Sequence, residues 1–333
     1  MPKSETIQNI LNVIREHKVF LISSHINPDG DSISSQLAFY SFLSDLGKKV
    51  YIFDSDSMPS HYKFLPYADV YQTELDDQSL KNVEVAIILD CGNLNRIGDR
   101  ILEKIRPECI IINIDHHSSN DYFGKCNFVD INASATSEIV FGFIRKSGLR
   151  VSYEHAICLY TGIVMDTGCF KFANTNAKSH RIVAQLIKEG VKPERISELI
   201  YDIIPYRKAK LFGKVLDTLQ ISSDGKIAYV SITNEMYKKT KSEVTDTEGF
   251  IDYVRSLDGI EVAILFRETD SDNIKVSLRS KRRDHDRQPI NVDQIAKEFD
   301  GGGHQAAAGC VVLEPLNKAI DIILHRVSIA MDQ

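Results

Sequence analysis

The sequence predicts an α/β fold, with a doubly wound and mainly parallel sheet in its first half and a smaller α+β domain in its second. Near-continuous apolar runs at residues 18–24, 50–54, 83–90 and 109–115 are typical of strands that are buried on both faces of a sheet. Helical stretches separate these runs, and strands that alternate with helices form doubly wound sheets.

Capping residues, glycines and apolar patterns predict the helices that flank these strands and the elements of the second domain. A first helix is predicted over residues 4–17, with Ser4 as its N-cap, and a second over 32–46, ending before Gly47. The pattern is almost wholly helical from residue 176 to 220, and we predict a helical connector at 191–220 between domains at 1–190 and 221–333. In the second domain, strands are expected at 226–232, 261–268 and 273–279, and helices at 292–299 and 316–329.

Composition excludes several classes of protein. The 333 residues carry a net charge of −6, which argues against binding duplex DNA by bulk charge. Apolar runs such as residues 85–89 are much shorter than the roughly 20 residues that span a bilayer, and no signal-peptide core follows the N-terminus. The six cysteines form no Cys-x-x-Cys pair and are typical of reduced thiols, so we expect a cytoplasmic protein without membrane association.

Carboxylate and imidazole groups accumulate where the predicted strands end. A single Asp in such a place more often caps a helix or forms a turn. Several parallel strands, however, present their carboxyl ends to one edge of the sheet, where ligands bind in such folds. Asp166 ends a further apolar stretch at residues 160–165, which we also interpret as a strand. The set is His25, Asp29, Asp31, Asp90, Asp115, His116, His117 and Asp166.

This set predicts a centre for two divalent metal ions. Crowded carboxylates repel one another unless cations lie among them. Oxygen ligands mixed with imidazole suit Mn²⁺ or Mg²⁺. Two such ions about 3.5–4 Å apart activate water and stabilise the attacking and leaving oxygens on phosphorus. Because the sequence contains no nicotinamide-binding fingerprint and no Walker motif, hydrolytic phosphorus chemistry is the expected activity.

A second candidate site lies near the C-terminus. Gly301–Gly303 could direct their N–H groups at an anion as a backbone nest, and His304 follows them directly. The run 279–287 carries five Lys or Arg and two Asp, a local charge of +3. We expect Arg279 and His304 to bind phosphate, and Arg282 or Arg283 is a weaker candidate because charged runs are usually solvated.

These motifs resemble those of a known family. Residues 24–32, Asp90-Cys91-Gly92, 115–117 and 166–168 are similar to the four motifs of the DHH phosphoesterase superfamily. Gly301–His304 and the small residues after them resemble the signature of its DHH-associated C-terminal domain. The resemblance, closest to the nanoRNase type, implies a catalytic domain at 1–190, a substrate-binding domain at 221–333, and a cleft between the two.

The resemblance also implies a role for each position. One Mn²⁺ would be bound by His25, Asp29 and Asp90, and the other by Asp31, Asp90, His116 and Asp166, with Asp90 bridging. His117 would face the scissile phosphate, and Asp115 would orient a ligating histidine. The expected substrate-binding residues are Arg279, Ser280, Gly301, Gly302, Gly303 and His304. Asp300 departs from the family pattern, in which another glycine often stands at this position.

The expected function is therefore that of a Mn²⁺-dependent phosphoesterase. Its substrates would be short oligoribonucleotides, cleaved to nucleoside 5′-monophosphates, and 3′-phosphoadenosine-5′-phosphate (PAP), converted to AMP. One alternative is a phosphodiesterase for cyclic di-AMP or its linear product pApA, and an alternative of another class is a nucleotide sensor without catalysis. Short RNA or a nucleotide is the expected partner, and a homodimer stays open.

Overall fold

A computed structural model describes residues 3–269, 273–281 and 288–332 of the chain. The chain divides into two compact units, Met1–Ile203 and Ile204–Gln333. The stretch 191–220, predicted as a connector, spans the boundary between them. None of the helices in the described ranges combines the length and the apolar character that crossing a lipid bilayer requires.

The first unit alternates strands and helices in the predicted order. Its strands are β1 Val19–Ser23, β2 Lys49–Phe53, β3 Tyr71–Gln72, β4 Val85–Leu89, β5 Ile110–Asp115 and β6 Cys126–Val129. Its helices are α1 Lys3–Glu16, α2 Gly30–Asp45, α3 Asp77–Leu80, α4 Asp99–Leu102, α5 Thr136–Ser147, α6 Tyr153–Asp166, α7 Ala177–Lys188 and α8 Pro193–Ser197, and a π-helical turn follows at Glu198–Asp202.

These strands form one parallel sheet in the order β3-β2-β1-β4-β5-β6, which confirms the doubly wound fold class. Alternate residues of β1 enter two separate cores, Phe20 and Ile22 on one face and Leu21 on the other. Burial on both faces explains the near-continuous apolar runs. The strand order reverses between β1 and β4, and in such sheets a crevice for ligands opens at the carboxyl ends of those two strands.

The sequence interpretation of residues 160–166 was wrong. Asp166 is the last residue of the helix α6, not the end of a strand. The apolar run arises because α6 is covered by α2, α5 and α7, and a short buried run does not distinguish a helix from a strand. Asp31 likewise lies in the first turn of α2 and not on the preceding loop.

Two glycines allow α2 and α6 to pack closely. A Cβ atom on Gly30 would lie 2.7 Å from Met165 Cβ, and one on Gly162 would collide with Ser137 Oγ and lie 2.6 Å from Asp31 Oδ1. Neither position has room for even a methyl group. The α2–α6 interface therefore places Asp31 beside α5 only because these residues have no side chain.

We expect Gly162→Ala to destabilise the protein by about 1–3 kcal/mol, because overpacking a tight contact costs this much. The melting temperature should fall by several degrees in a calorimetric scan. Gly142→Ala is the matched control, since a Cβ there meets nothing within 4 Å and the better helix propensity of alanine should stabilise α5 by up to about 1 kcal/mol. Equal melting temperatures for the two variants would contradict this account of the interface.

The second unit has a mixed sheet in the order β11-β12-β10-β9-β8-β7, with β8 and β9 parallel. One face packs against α12 and α13, and the other against α9 and α11. Its strands are β7 Gln220–Ile221, β8 Ile227–Ile232, β9 Val262–Glu268, β10 Ile274–Ser280, β11 Gly302–His304 and β12 Ala307–Val312. Its helices are α9 Tyr206–Leu216, α10 Asn234–Thr240, α11 Phe250–Ser256, α12 Val292–Lys297 and α13 Leu316–Asp332.

Candidate functional site

The carboxyl ends of β1 and β4 bring the first group of candidate metal ligands together. His25 Nε2 lies 3.8 Å from Asp29 Oδ2 and 3.9 Å from Asp90 Oδ2. His25 Nδ1 lies 2.8 Å from the carbonyl oxygen of Ile26. Because a carbonyl only accepts hydrogen bonds, Nδ1 carries the proton, and the lone pair of Nε2 faces the two carboxylates. His25, Asp29 and Asp90 could hold a metal ion.

A second group forms beside the first, where β5 ends and α6 ends. His116 Nε2 lies 3.6 Å from Asp90 Oδ1 and 3.6 Å from Asp166 Oδ2. Asp31 completes a second set of possible ligands with His116 and Asp166. His116 Nδ1 lies 3.3 Å from the carbonyl oxygen of Ala133, so Nε2 is again the nitrogen that could bind a metal.

Asp90 lies beside both groups of candidate metal ligands. Its Oδ2 faces His25 and its Oδ1 faces His116, and the residue is 2% exposed. Its backbone is in the left-handed region with φ of 54°, a conformation that costs free energy for a residue other than glycine and often marks a functional site. Thr136 Oγ1 donates a 2.9 Å hydrogen bond to Oδ1. This geometry suits a carboxylate shared between two ions.

Asp31 has a second role that the sequence did not indicate. Helix α5 begins after Ala135, which has no side chain that could cap it. The two oxygens of Asp31 instead accept hydrogen bonds from the N–H groups of Thr136, at 2.5 Å, and Ser137, at 3.0 Å. A carboxylate at a helix N-terminus is stabilised by the helix dipole. The cap fixes Asp31 in the place from which it could bind a metal.

The electrostatics of the buried carboxylates indicate a cation site. Burial, followed by repulsion from Asp90 and Asp166, raises the pKa of Asp31 well above its usual range. Burial and then Asp29 raise the pKa of Asp90, and burial raises the pKa of Asp166 to about 7. Positive ions among these groups would offset both the burial of the charged carboxylates and their mutual repulsion. Donor chemistry and charge thus fit divalent metal ions.

Asp115 fixes the imidazole ring of His117 by a hydrogen bond. Asp115 Oδ1 accepts hydrogen bonds of 2.7 Å from His117 Nδ1 and from the backbone N–H of His116. Although burial opposes both charges, this bond lowers the pKa of Asp115 to about 2 and raises that of His117 to about 9. His117 Nδ1 is also 3.7 Å from Asp90 Oδ1, so the structure brings it within reach of a metal as well.

Two polar residues that support the centre were missed. Asn120 Nδ2 donates to Asp115 Oδ2 at 2.6 Å. Asp54, buried at the end of β2, accepts hydrogen bonds from Ser23 Oγ at 2.9 Å and from the N–H of Ser24 at 2.8 Å, just before His25. Asp54 is the last residue of the predicted strand 50–54, so its position could have been noticed. No sequence signal identified Asn120.

In the second unit, Arg279 and His304 lie on one face of the sheet. Arg279 is opposite Ala307 in the β10–β12 pair, and His304 is opposite Ala307 in the β11–β12 pair. Directly opposite residues share a face, and two strand spacings separate the outer pair by roughly 10 Å. The structure thus brings these two predicted phosphate-binding residues to one surface.

Ser280 lies on the opposite face from Arg279. Successive residues of a strand alternate in direction, and Ser280 is 1% exposed, with its hydroxyl donating a 2.7 Å hydrogen bond to the carbonyl oxygen of Ile290. The structure does not place its side chain beside Arg279 and His304. Arg282 and Arg283 lie outside the described residues.

The triple glycine differs from the predicted nest. Gly302–His304 is the strand β11, and the N–H groups of Gly301 and Gly303 donate at 2.9 Å to the carbonyl oxygen of Ala296 and to Asp293 Oδ1. A Cβ on Gly303 would lie 2.6 Å from Ala308 Cα, so glycine is needed for close strand packing. Gly302 remains at the exposed edge.

Asp300, the departure from the family pattern, has φ of 54°. Glycine adopts this left-handed conformation at little cost, which explains why it would suit the position. Aspartate is among the residues that tolerate the conformation best. The substitution therefore leaves the turn after α12 intact.

The chain is similar to known proteins over most of its length. The DHH family, N-terminal domain, matches residues 19–163, and the DHHA1 domain matches residues 224–328. A bifunctional oligoribonuclease and PAP phosphatase NrnA from Thermus thermophilus is 31% identical to this chain over 307 residues, which cover 92% of this chain and 88% of the relative. The chain belongs to the DHH family.

Further relatives match this DHH-family chain along nearly its whole length. A protein of the same description from Bacillus subtilis is 26% identical over 91% of this chain and 92% of its own. The crystal structure of an exopolyphosphatase-related protein from Bacteroides fragilis is 28% identical, with a TM-score of 0.88 and coverage of 97% of this chain and 95% of that one. The chain is a phosphoesterase of this family, as the motif resemblance predicted.

The hydrogen bond from Asn120 to Asp115 generates a prediction about stability. Asn120→Ala should lower the free energy of unfolding by about 1–3 kcal/mol, because it leaves a buried carboxylate short of a hydrogen bond. Urea unfolding monitored by circular dichroism measures this change. The control is Asn12→Ala on the exposed surface of α1, which should change stability by no more than about 0.5 kcal/mol. A similar effect of both substitutions would show that Asn120 does not support the site.

Proposed function

We propose that this protein hydrolyses short oligoribonucleotides to nucleoside 5′-monophosphates and removes the 3′-phosphate of PAP, with two divalent metal ions. The observation that carries this proposal is the position of Asp90, whose two oxygens face different donor groups at the switch point of the sheet. A shared carboxylate is typical of two-metal phosphoesterase sites.

The metal ions would be held by groups from distant parts of the chain. We assign His25, Asp29 and Asp90 to one ion, and we assign Asp31, Asp90, His116 and Asp166 to the other. When bound, the ions supply an activated water and stabilise negative charge on the phosphate oxygens. Carboxylates mixed with imidazoles suit Mn²⁺, which we propose as the metal.

The protein's own residues bind and orient the substrate around this centre. Asp115 fixes the ring of His117 through Nδ1, so Nε2 is the nitrogen that can donate a proton or a hydrogen bond to the scissile phosphate. Burial opposes the charge of this ring, but the hydrogen bond to Asp115 raises its pKa to about 9, which favours the protonated form. In the second unit, we assign Arg279 and His304 to binding a phosphate group of the substrate.

The substrate class is supported by the relatives. Proteins described as bifunctional oligoribonucleases and PAP phosphatases match about nine tenths of the chain at 31% and 26% identity. A cyclic di-AMP or pApA phosphodiesterase would use the same metal centre and a different pocket for the bases. The nucleotide sensor is disfavoured because every expected ligand is present. The cytoplasm as location stays a prediction from the sequence.

A side-by-side turnover assay tests the substrate class. With Mn²⁺, the protein should convert an RNA dinucleotide to mononucleotides and PAP to AMP, and both rates should exceed that for cyclic di-AMP. Excess chelator should abolish both reactions, and added Mn²⁺ should restore them, because the water must be activated by the metal. Full turnover in chelator, or faster cleavage of cyclic di-AMP than of the dinucleotide, would overturn the proposal.

Two substitutions separate the proposed roles. Asp90→Ala should abolish turnover and lower the number of Mn²⁺ ions bound in equilibrium dialysis, because it removes the shared ligand. Arg279→Ala should chiefly raise KM and leave kcat nearly unchanged, because it removes binding that is equal in ground and transition states. Arg195→Ala, in a surface ion pair with Glu198, is the control and should change neither constant. A loss of kcat without a change of KM in Arg279→Ala would contradict this division.

A further inference from the structure

A basic pocket lies in the second unit, toward the other end of the sheet from Arg279 and His304. It occupies about 610 Å³ between α9 and the end of α10, a size typical of small-ligand sites. Helix α9 packs against β8, whereas Arg279 and His304 lie on β10 and β11 farther along the sheet. The lining comes from the outer face of α9 and Asp217 directly after it, and from the last two residues of α10 and Lys241 directly after them.

The shape of the pocket follows from the two faces of α9. Leu211 and Val215 are buried in the core of the unit, so the positions around Ala209 and Gly213 face outward. A Cβ on Gly213 would meet nothing within 4 Å. Small residues therefore form the floor, and long basic side chains form the walls.

Two of the lining cations are already neutralised. Arg207 Nε lies 2.7 Å from Asp246 Oδ2, and its Nη2 lies 3.8 Å from Glu243 Oε1. Lys239 Nζ lies 2.6 Å from Glu235 Oε1. These pairs fix the rim of the pocket and contribute little net positive charge.

Three further lysines remain for a ligand. Within the described ranges, no carboxylate lies at ion-pair distance from Lys210, Lys214 or Lys241. The opposing charges nearby are Asp217 in the lining and Glu235, which is within electrostatic reach of Lys214. The interior thus keeps an excess of positive charge in a protein whose net charge is −6.

An exposed aromatic ring stands at the mouth of the pocket. Tyr206 is 77% exposed, and Lys210 Nζ lies 5.6 Å from the centroid of its ring. A ring beside several cations is the combination with which proteins bind single-stranded nucleic acid, the base stacking on the ring and the phosphates contacting the cations.

We propose that this pocket is a second RNA-binding site, which takes a short single-stranded segment with its phosphates on Lys210, Lys214 and Lys241 and a base on Tyr206. The identity of the ligand rests on the proposed function, which makes short RNA the substrate of this enzyme. The site itself rests on the cavity, its charge and its ring. It would retain RNA on the enzyme independently of the metal centre.

The test measures binding in chelator, where the metal centre is not loaded, with three probes: a 5′-phosphorylated RNA of five nucleotides, AMP and inorganic phosphate. Hydrogen exchange locates the ligand, and we expect the RNA to protect residues 206–217 and 234–241. The triple substitution Lys210→Ala, Lys214→Ala and Lys241→Ala should weaken RNA binding about tenfold and reduce the slope of log K against log salt by about 2, since each phosphate contact to a single strand contributes roughly 0.7.

Two variants make the result specific. The matched control removes three exposed lysines of the first unit, Lys125, Lys146 and Lys192, and should bind RNA as the wild type does. Tyr206→Ala should weaken RNA about fivefold or more, through lost stacking, and leave phosphate unaffected. Equal binding by the lysine triple variant and the control, or no protection of α9 and α10 by any probe, would overturn the proposal. Phosphate that binds as tightly as RNA would overturn the assignment to RNA.

Turnover of the dinucleotide with Mn²⁺ on the same preparations separates this inference from the proposed function. Turnover without protection of the pocket rejects the second site alone. Protection of the pocket by RNA without turnover supports the second site and rejects the proposed activity.

Discussion

The mutual repulsion of carboxylates that are buried or half-buried is the constraint on which the rest of the first unit depends. Asp31, Asp90 and Asp166 come from different elements, and each is held with its charge toward the others. Such an arrangement costs free energy in a protein without cations, and the fold must supply compensating interactions. Hydrogen bonds to Asp31 and Asp90 supply part of that compensation, and bound divalent ions would supply the remainder.

The hydrogen bonds that stabilise Asp31 couple the candidate metal centre to the packing of the helices. Asp31 caps α5, and it can reach α5 only because Gly162 has no side chain at the crossing with α6. Asp166 is the last residue of α6. A shift of this helix would therefore move Asp166 and change the space that is left for Asp31 beside Gly162. Ligand geometry and helix packing are therefore set by the same contacts, and a stability change at this interface should also change metal affinity.

How much of this could be predicted from the sequence depends on the physical origin of each feature. Buried parallel strands produce long apolar runs, so their ends, and with them His25 and Asp90, are visible in the sequence. Asp54 shows the limit of that rule, since it also ends a strand, yet its carboxylate holds the backbone of Ser24. Asn120 has no pattern of its own because its partners are brought to it only by the tertiary fold. The helix α6 was misread because burial on all sides removes the periodicity that distinguishes a helix.

The glycine-rich strand β11 shows why a motif can identify a family without revealing its local geometry. Glycine and alanine have low β-propensity, and β11 and β12 become strands because β10 offers a paired edge on which they assemble. In that pairing the glycines serve close packing, and the N–H groups of Gly301 and Gly303 donate hydrogen bonds within the protein. The side chains that we propose for phosphate binding, Arg279 and His304, come to one face because the strand register places both opposite Ala307.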